Sequence, residues 1–286
     1  MFTHRNPPAG GAAMMKAAAV AAVTLLTPAA GYAQGSHAAH GGKDVVLHLS
    51  DRWDECSFQL DPSLTQGAWR QFTKEAGLVV YFRPLADARP MGKGNFELSI
   101  LQATTGIDDQ DAAWNDTFVH PNDTHWLFEG EGLPMPGLMA RGGVTDRLDV
   151  GAYFTKNPNA NYGFYGAQAQ YNLAQGVKQD WAVSSRASFV SMYGPEDLDF
   201  TVYGVDVLAS KAFPVARWAS VSPYAGVSGY LNSSHEQSDV VTLEDENILG
   251  VQAMVGAVAQ ISVVRIAAEY NAAKVGSRTI KVGVAF

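Results

Sequence analysis

The side chains best suited to metal or acid–base chemistry are concentrated between residues 105 and 136. The stretch contains five aspartates and two histidines: Asp108, Asp109, Asp111, Asp116, Asp123, His120 and His125. Carboxylates and imidazoles bind divalent cations and act as acids and bases in hydrolases. Catalytic groups need rigid support, however, whereas both histidines flank Pro121 with no serine near them in sequence. We expect a solvated acidic loop with no catalytic residue, metal site or cofactor, and leave cation binding by its carboxylates as an alternative.

Three other features offer less chemistry. His37 and His40 lie in the Gly/Ala-rich residues 34–43, a composition typical of a linker. Cys56 is the only cysteine, so an internal disulfide is impossible. A second acidic group, in residues 233–246, is interpreted as surface charge. Its members are Glu236, Asp239, Glu244, Asp245 and Glu246.

Residues 1–33 have the three parts of a secretory signal. Arg5 and Lys16 make a basic start, residues 17–27 are apolar, and Gly31 and Ala33 are small residues before a cut after Ala33. The apolar run is shorter than the roughly 20 residues that a spanning helix needs. We therefore expect the chain to be exported.

The segment 34–93 has a different pattern from the rest of the chain. Leu64, Ala68, Trp69 and Phe72 fall on one helical face, and Gly77 follows them. This spacing predicts one short amphipathic helix over residues 63–76. We interpret residues 34–93 as a periplasmic or plug segment, lying with its helix on the inner side of the domain that follows.

From Phe96 onward the apolar residues recur with a period of two. Alternating runs are centred on residues 148–155, 165–173, 219–228, 249–260 and 264–270. These runs of about 9 to 14 residues exceed the 5 or 6 of an ordinary globular strand and match a tilted strand that spans a bilayer. The sequence predicts about ten such strands, or twelve if residues 45–49 and 78–82 add a hairpin.

The connections between these strands alternate in length. Short ones fall near residues 145–146, 212–216 and 260–262, and long polar ones cover residues 105–136 and 232–247. Short turns at one end and long loops at the other are typical of an up-and-down transmembrane barrel. We expect an all-β, antiparallel barrel over residues 94–286, with Phe286 at the short-turn end.

Composition agrees with such a sheet. Apolar residues make up 47% and charged residues 17% of the chain, and the mean hydropathy is -0.06. Alternation between lipid and a polar interior averages to a neutral hydropathy. The net charge of -8 and the lack of a basic patch argue against nucleic acid as a partner.

The last strand carries a recognisable signature. Ile280, Val282, Val284 and Phe286 share one face of a strand that ends in an aromatic residue. Here the chain resembles the outer-membrane β-barrel superfamily of Gram-negative bacteria, and residues 91–94 (MGKG) resemble the lead-in to the first strand of such barrels. Arg278 departs from that pattern, in a position usually apolar or aromatic. The resemblance implies the outer membrane as the location, its lipid as the surroundings and the barrel-assembly machinery as a partner.

The interior face predicted by this alternation is polar. The lumen-facing candidates are Gln168, Gln170, Arg186, Asp206, Arg265, Glu269 and Lys281. Aromatic residues near strand ends are expected to form the girdles at the two membrane interfaces. They are Tyr165, Tyr171, Trp181, Tyr193, Tyr203, Trp218 and Tyr270.

A narrow lumen filled by opposite charges predicts a structural or surface-interaction protein, and an open one a small-solute channel. Two alternatives remain: an outer-membrane transporter of small apolar compounds, with the Trp69 and Phe72 helix as its plug, and a soluble periplasmic lipocalin-like binding protein. We expect no enzyme.

Overall fold

The computed structural model describes residues 57–108, 111–119, 133–156, 161–176 and 180–286. The expected signal, residues 34–56 and the histidines at 120 and 125 lie outside that part. Within it, no helix is long and apolar enough to cross a membrane. The elements, in chain order, are β1 (Ser57–Phe58), α1 (Gln66–Val80), β2 (Phe96–Thr105), α2 (Ala112–Asn115), β3 (Phe118–Val119), β4 (Leu133–Gly143), β5 (Leu148–Lys156), β6 (Gly163–Gly176), β7 (Trp181–Tyr193), β8 (Leu198–Lys211), β9 (Phe213–Ala216), β10 (Ala219–Glu236), β11 (Glu246–Ile261), β12 (Val264–Ala272) and β13 (Ser277–Ala285).

Ten of the described strands form one closed antiparallel sheet. β2 pairs with β4, each strand from β4 to β7 pairs with the next, β8 pairs with β10, and β10 to β13 follow in order. Closure comes from β13 and β2, which pair from Ser277 opposite Thr105 to Ala285 opposite Glu97. The predicted ten-stranded up-and-down barrel is therefore confirmed. Closure gives each of these ten strands a paired neighbour on both sides.

The two ends of the barrel differ. At the terminal end, Phe96 and Phe286 exchange backbone hydrogen bonds of 3.0 and 2.9 Å, and their rings stack at 5.1 Å. The connections at this end are residues 144–147, 177–180, 212–218 and 262–263. The strand ends joined by residues 106–132, 157–162, 194–197, 237–245 and 273–276 meet at the opposite end, called the loop end. Both long connections thus join strands at the same end of the barrel, as the sequence predicted.

Strand alternation sets the two faces of the wall. Residues of β8 alternate along its whole length, with Phe200, Val202 and Asp206 buried and Tyr203, Val205 and Val207 exposed. The ten barrel strands contain from 9 to 18 residues, so each reaches the length of roughly 9 residues that a tilted membrane strand needs.

Helix α1 differs from its predicted bounds at both ends. It begins after Thr65, whose hydroxyl accepts a hydrogen bond from Ala68 N–H at 3.3 Å. Ser63 donates its hydroxyl and its N–H to Asp61 instead, and these two bonds hold the pKa of Asp61 below its usual range. The helix continues past Gly77 to Val80, because that glycine allows close approach to Asn232 and does not end the helix.

Two strand expectations are corrected. Residues 78–82, which were expected to form one strand of an added hairpin, instead complete α1 and begin an extended segment inside the barrel. Their apolar run is buried by packing in the lumen, which periodicity cannot distinguish from a buried strand. The connection after β8 is not a plain turn, since β9 adds an eleventh strand beside β10.

Candidate functional site

The N-terminal part of the described chain passes through the barrel. At the loop end, Gln66 donates to Glu246 Oε1 at 2.8 Å, and Arg70 pairs with the same carboxylate. At the terminal end, the N–H of Met91 donates to both oxygens of Asp149 at 3.1 Å. Residues 66–91 are called the lumenal segment, and its extended part, residues 81–91, the strap. The helix was expected at the inner, terminal end, but it lies in the loop half because the chain enters the barrel from that side.

An apolar core closes the loop half of the lumen. Trp69 and Phe72 of α1 are fully buried, and Phe72 contacts the rings of Trp69, Trp114 and Phe58 at 5.1 to 5.7 Å between centroids. The cavity beside this core, lined by Phe58, Trp114, Leu133 and side chains of α1 and neighbouring strands, measures about 10 Å³. That is no more than about one water molecule requires.

Polar contacts then fix α1 against the wall. Glu75 accepts from the indole N–H of Trp114 at 2.7 Å and pairs with Lys274 at 2.7 Å. On the other side of the helix, the Thr73 and Ser234 hydroxyls lie 2.6 Å apart. Buried hydrogen bonds thus hold α1 to α2 and to β10.

A buried cation ends the helix and begins the strap. Arg83 donates to the carbonyl oxygens of Leu78, Val79 and Tyr81 at 2.8 to 3.2 Å. Its second amino group reaches Ser277 of the barrel wall. The positive charge stands at the negative end of the helix dipole, and it satisfies carbonyls that the last turn leaves without helical partners.

The middle of the lumen is a hydrogen-bonded junction between strap and wall. Arg186 and Asp206 are cross-strand partners, with Nε to Oδ2 at 2.6 Å. Arg186 also donates to Gln168 at 2.8 Å and to the carbonyl of Phe82, while Tyr81 donates to Asp206 at 2.6 Å. The strap therefore completes a wall charge pair that is fully buried.

A second junction lies beside it. Glu269 accepts from the Tyr224 hydroxyl at 2.6 Å, from Asn271 at 2.8 Å and from the strap N–H of Leu85 at 3.2 Å. Below it, Gln170 donates to the carbonyl of Asp87 at 3.2 Å. Backbone groups of the strap, which have no strand partner, are satisfied by side chains of the wall.

Charges occupy the terminal half. Glu97 pairs with Lys281 and, at 3.2 Å, with Arg265, while Asp87 of the strap lies 3.8 Å from Arg265. Asp87 also pairs with Arg89 at 2.8 Å. Arg141 and Asp149 form a further buried pair. A vestibule of about 350 Å³ lined by Asp87, Arg89 and Arg265 opens below this network.

The seven lumen candidates occupy inward-facing, buried positions. They form three groups: Arg186 with Asp206, Gln168 and Gln170; Glu269; and Lys281 with Arg265. The alternation missed Glu97 and Arg141, because Glu97 begins the first barrel strand and Pro134 and Pro136 obscure the period of β4. It also missed Tyr81, Arg83 and Asp87, since an extended strap has no period.

The outer wall is apolar. Leu249 and Val251 are 81% and 79% exposed, and the signature residues of β13 face outward beside them in the same sheet. These are Ile280, Val282, Val284 and Phe286. Six of the seven predicted girdle residues are also exposed large side chains: Tyr165, Tyr171, Trp181, Tyr203, Trp218 and Tyr270.

The acidic stretch after β2 is described in part. Asp111 caps α2 by accepting from Ala113 N–H at 3.0 Å, and it also accepts from Gln71 of α1 at 2.9 Å. The described residues contain no group of three or more His, Cys, Asp or Glu side chains placed to hold a metal ion.

No family model matches the chain, and no curated protein matches it. Three solved structures are similar over 68% of the chain. They are Ail, the attachment invasion locus protein of Yersinia pestis (14% identity, 99% of that chain, TM-score 0.28), the β domain of the Bordetella autotransporter BrkA (12%, 100%, 0.40), and Neisserial surface protein A (13%, 96%, 0.29). Such weak likeness carries no argument about activity, and the fold assignment comes from the chain's own closed sheet.

Proposed function

We propose that this protein is an outer-membrane β-barrel whose lumen is filled by its own lumenal segment, and that it acts as a structural or surface-interaction protein. One observation carries the proposal: residues 66–91 contact the wall from Glu246 at the loop end to Asp149 at the terminal end. Among the described residues, the cavity that Phe58, Trp114 and Leu133 line in the loop half holds about one water molecule, which is too small for a solute.

The wall supports a membrane location. Side chains such as Leu249 and Val251 face outward, whereas Arg186, Glu97 and Lys281 face inward. A soluble lipocalin-like protein would need the opposite distribution, because water on the outside penalises an apolar wall. Export through residues 1–33 and assembly through the β13 signature complete the proposal, with outer-membrane lipid as the surroundings.

The direction of the lumenal segment gives the proposal a sidedness. With the terminal end in the periplasm, Ser57 and Phe58 lie at the outer end, where β1 pairs with β3. Residues 61–63 are exposed there. An epitope inserted between Pro62 and Ser63 is then expected to react with antibody on intact cells, and one inserted at Asp146 only after permeabilisation. The reverse result would invert the orientation and leave the barrel itself in place.

The first test is cell fractionation followed by gel electrophoresis with and without boiling. A band in the outer-membrane fraction that migrates faster unboiled is expected, because a closed barrel resists detergent. In planar bilayers the purified protein should give no resolved conductance steps. Recovery in the soluble periplasm without a heat shift would instead support the lipocalin-like alternative.

A small-solute channel with a movable strap is the second candidate. Its support is that the strap is held in the terminal half by hydrogen bonds and ion pairs, and the wall behind it is polar enough for water. Transport of small apolar compounds past the same plug is the alternative use of such a movement.

A disulfide between strap and wall separates plug from gate. Ala88 N–H lies 3.0 Å from the hydroxyl of Ser210, so Ala88→Cys with Ser210→Cys suits a cross-link, in a Cys56→Ser background. A gate would conduct when reduced and close when oxidised. A permanent plug would show no steps in either state, and heat-modifiable migration would verify the barrel.

A further inference from the structure

A large apolar depression lies on the outer wall of the described barrel. It measures about 580 Å³ and is lined by outward residues of four neighbouring strands, including Ile100, Pro136, Leu138 and Phe154. A second depression of about 330 Å³ adjoins it, and the two share Gln102 and Ile280. Together they are called the wall groove.

Two prolines explain the groove. Backbone pairing between β4 and β5 begins at Leu138 opposite Phe154, so β4 residues nearer the loop end, including Pro134 and Pro136, have no ladder to β5. Proline has no N–H to donate, and its small ring leaves a depression between larger neighbours. The hydroxyl of Thr155 donates to the Pro136 carbonyl and closes the wall behind it.

A basic side chain stands at the loop-end rim of each depression. Lys156 lines the larger one, and its ammonium donates to the carbonyl of Tyr162 at 3.1 Å. Arg278 lines the smaller one and is exposed. Three strand spacings separate β13 from β5, so the backbones that carry the two cations lie roughly 14 Å apart across the wall, and both long side chains can extend toward a headgroup between them. The apolar part of the groove continues from them toward the terminal end.

We propose that the wall groove is a binding site for a lipid with a phosphate-bearing, anionic headgroup in the loop-end leaflet. Lys156 and Arg278 bind the headgroup, and the acyl chains lie along Ile100, Leu138 and Ile280. This inference rests on the proposed membrane location. Charge complementarity selects the ligand, since the two cations at the rim attract phosphate and the apolar lining excludes a hydrophilic solute. It also explains why Arg278 replaces the apolar residue expected in this strand.

The test uses purified full-length protein, freed of lipid in neutral detergent. Native mass spectrometry measures binding of dioleoyl phosphatidylglycerol and of dioleoyl phosphatidylcholine, which has the same chains without net charge. A basic side chain near a lipid surface is worth about fivefold in affinity, so the anionic lipid should bind about 25-fold more tightly.

The variants locate the site. The double variant Lys156→Gln with Arg278→Gln should reduce the preference for the anionic lipid from about 25-fold to about fivefold or less. At least half of the electrostatic contribution to the binding free energy is then lost. Gln102→Trp, which places a bulky ring where the two depressions meet, should weaken binding of both lipids. Lys211→Gln is the matched control, because Lys211 is an outward cation at the terminal end.

Equal binding of both lipids by the natural protein would overturn the site. So would a preference above about fivefold in the double variant, or one that Lys211→Gln reduces equally. Heat-modifiable migration is measured on every variant. If the natural protein shows no heat-modifiable migration, the result counts against the proposed barrel function. If it shows the heat shift but no lipid preference, the result counts against the groove alone.

Discussion

In the loop half of the lumen, α1 packs Trp69 and Phe72 against Trp114. In the terminal half, by contrast, Asp87 of the strap pairs with Arg89 and lies near Arg265 of the wall. One sheet therefore encloses two interiors. The apolar half gains stability from area removed from water, and the gain depends on close packing. In the charged half, folding removes ions from water, and ion pairing must offset the free-energy cost of that desolvation. We infer that the first half fixes the helix and the second fixes the position of the strap.

The largest effect is expected in the apolar half. Phe72→Ala should lower the free energy of unfolding by about 4 kcal/mol, because the ring is fully buried and its loss leaves a cavity. Urea unfolding of protein refolded in lipid vesicles measures this. Phe189→Ala, on the outward face, is the control and should cost less, since lipid can fill the space. Equal costs would mean that the loop half is not packed.

The charged half should respond to the loss of one partner and recover when both are replaced. Lys281→Met should cost about 3 kcal/mol, because Glu97 stays buried after losing the ammonium group that pairs with it. Adding Glu97→Gln should restore at least half of that loss, which the same unfolding experiment reports. If the double variant is worse than the single one, packing and not charge governs this half too.

The sequence predicted the strands of the barrel wall better than the residues of the lumenal segment. Alternation predicted β5, β6, β10, β11 and β12, because each strand has exposed apolar side chains on one side and buried polar groups on the other. The strap gave no such signal. Between Tyr81 and Met91 the residues face the barrel on all sides, so apolar and charged side chains are mixed without period.

The ends of α1 show the same limit of local reasoning. Gly77 predicts a helix end from its own preferences, but its lack of a side chain serves a contact with Asn232, which is distant in sequence. Likewise, Glu97 becomes a lumenal charge only when β13 closes on β2 and brings Lys281 beside it. Neither relation can be read from neighbouring residues.

Gly77→Ala sharpens the view of the apolar half. Alanine favours a helix by about 1 kcal/mol over glycine, but its Cβ would lie 1.9 Å from Asn232 Nδ2. Overpacking should dominate and destabilise the protein by about 2 kcal/mol. Asn232→Ser, which shortens that side chain, should recover part of the loss in the double variant. A Gly77→Ala protein more stable than the natural one would show that α1 is loosely held.

The smallest effect is expected where neither interior acts, in the turn 194–197 at the loop end. Desolvation, followed by the carboxylates of Glu196, Glu236 and Asp239, raises the pKa of Asp197. A raised carboxyl pKa means that the folded state binds the proton more tightly than the unfolded state, so ionised Asp197 destabilises the fold at neutral pH.

Asp197→Asn should therefore stabilise the protein at pH 7, by less than about 1 kcal/mol because the side chain is exposed to solvent. The gain should shrink as the pH falls through the raised pKa and vanish below the ordinary value of 3.8. Unfolding titrations at a series of pH values measure this, with Asp146→Asn in a terminal-end turn as the control. A gain that is constant with pH would assign the effect to the amide side chain and not to relief of charge.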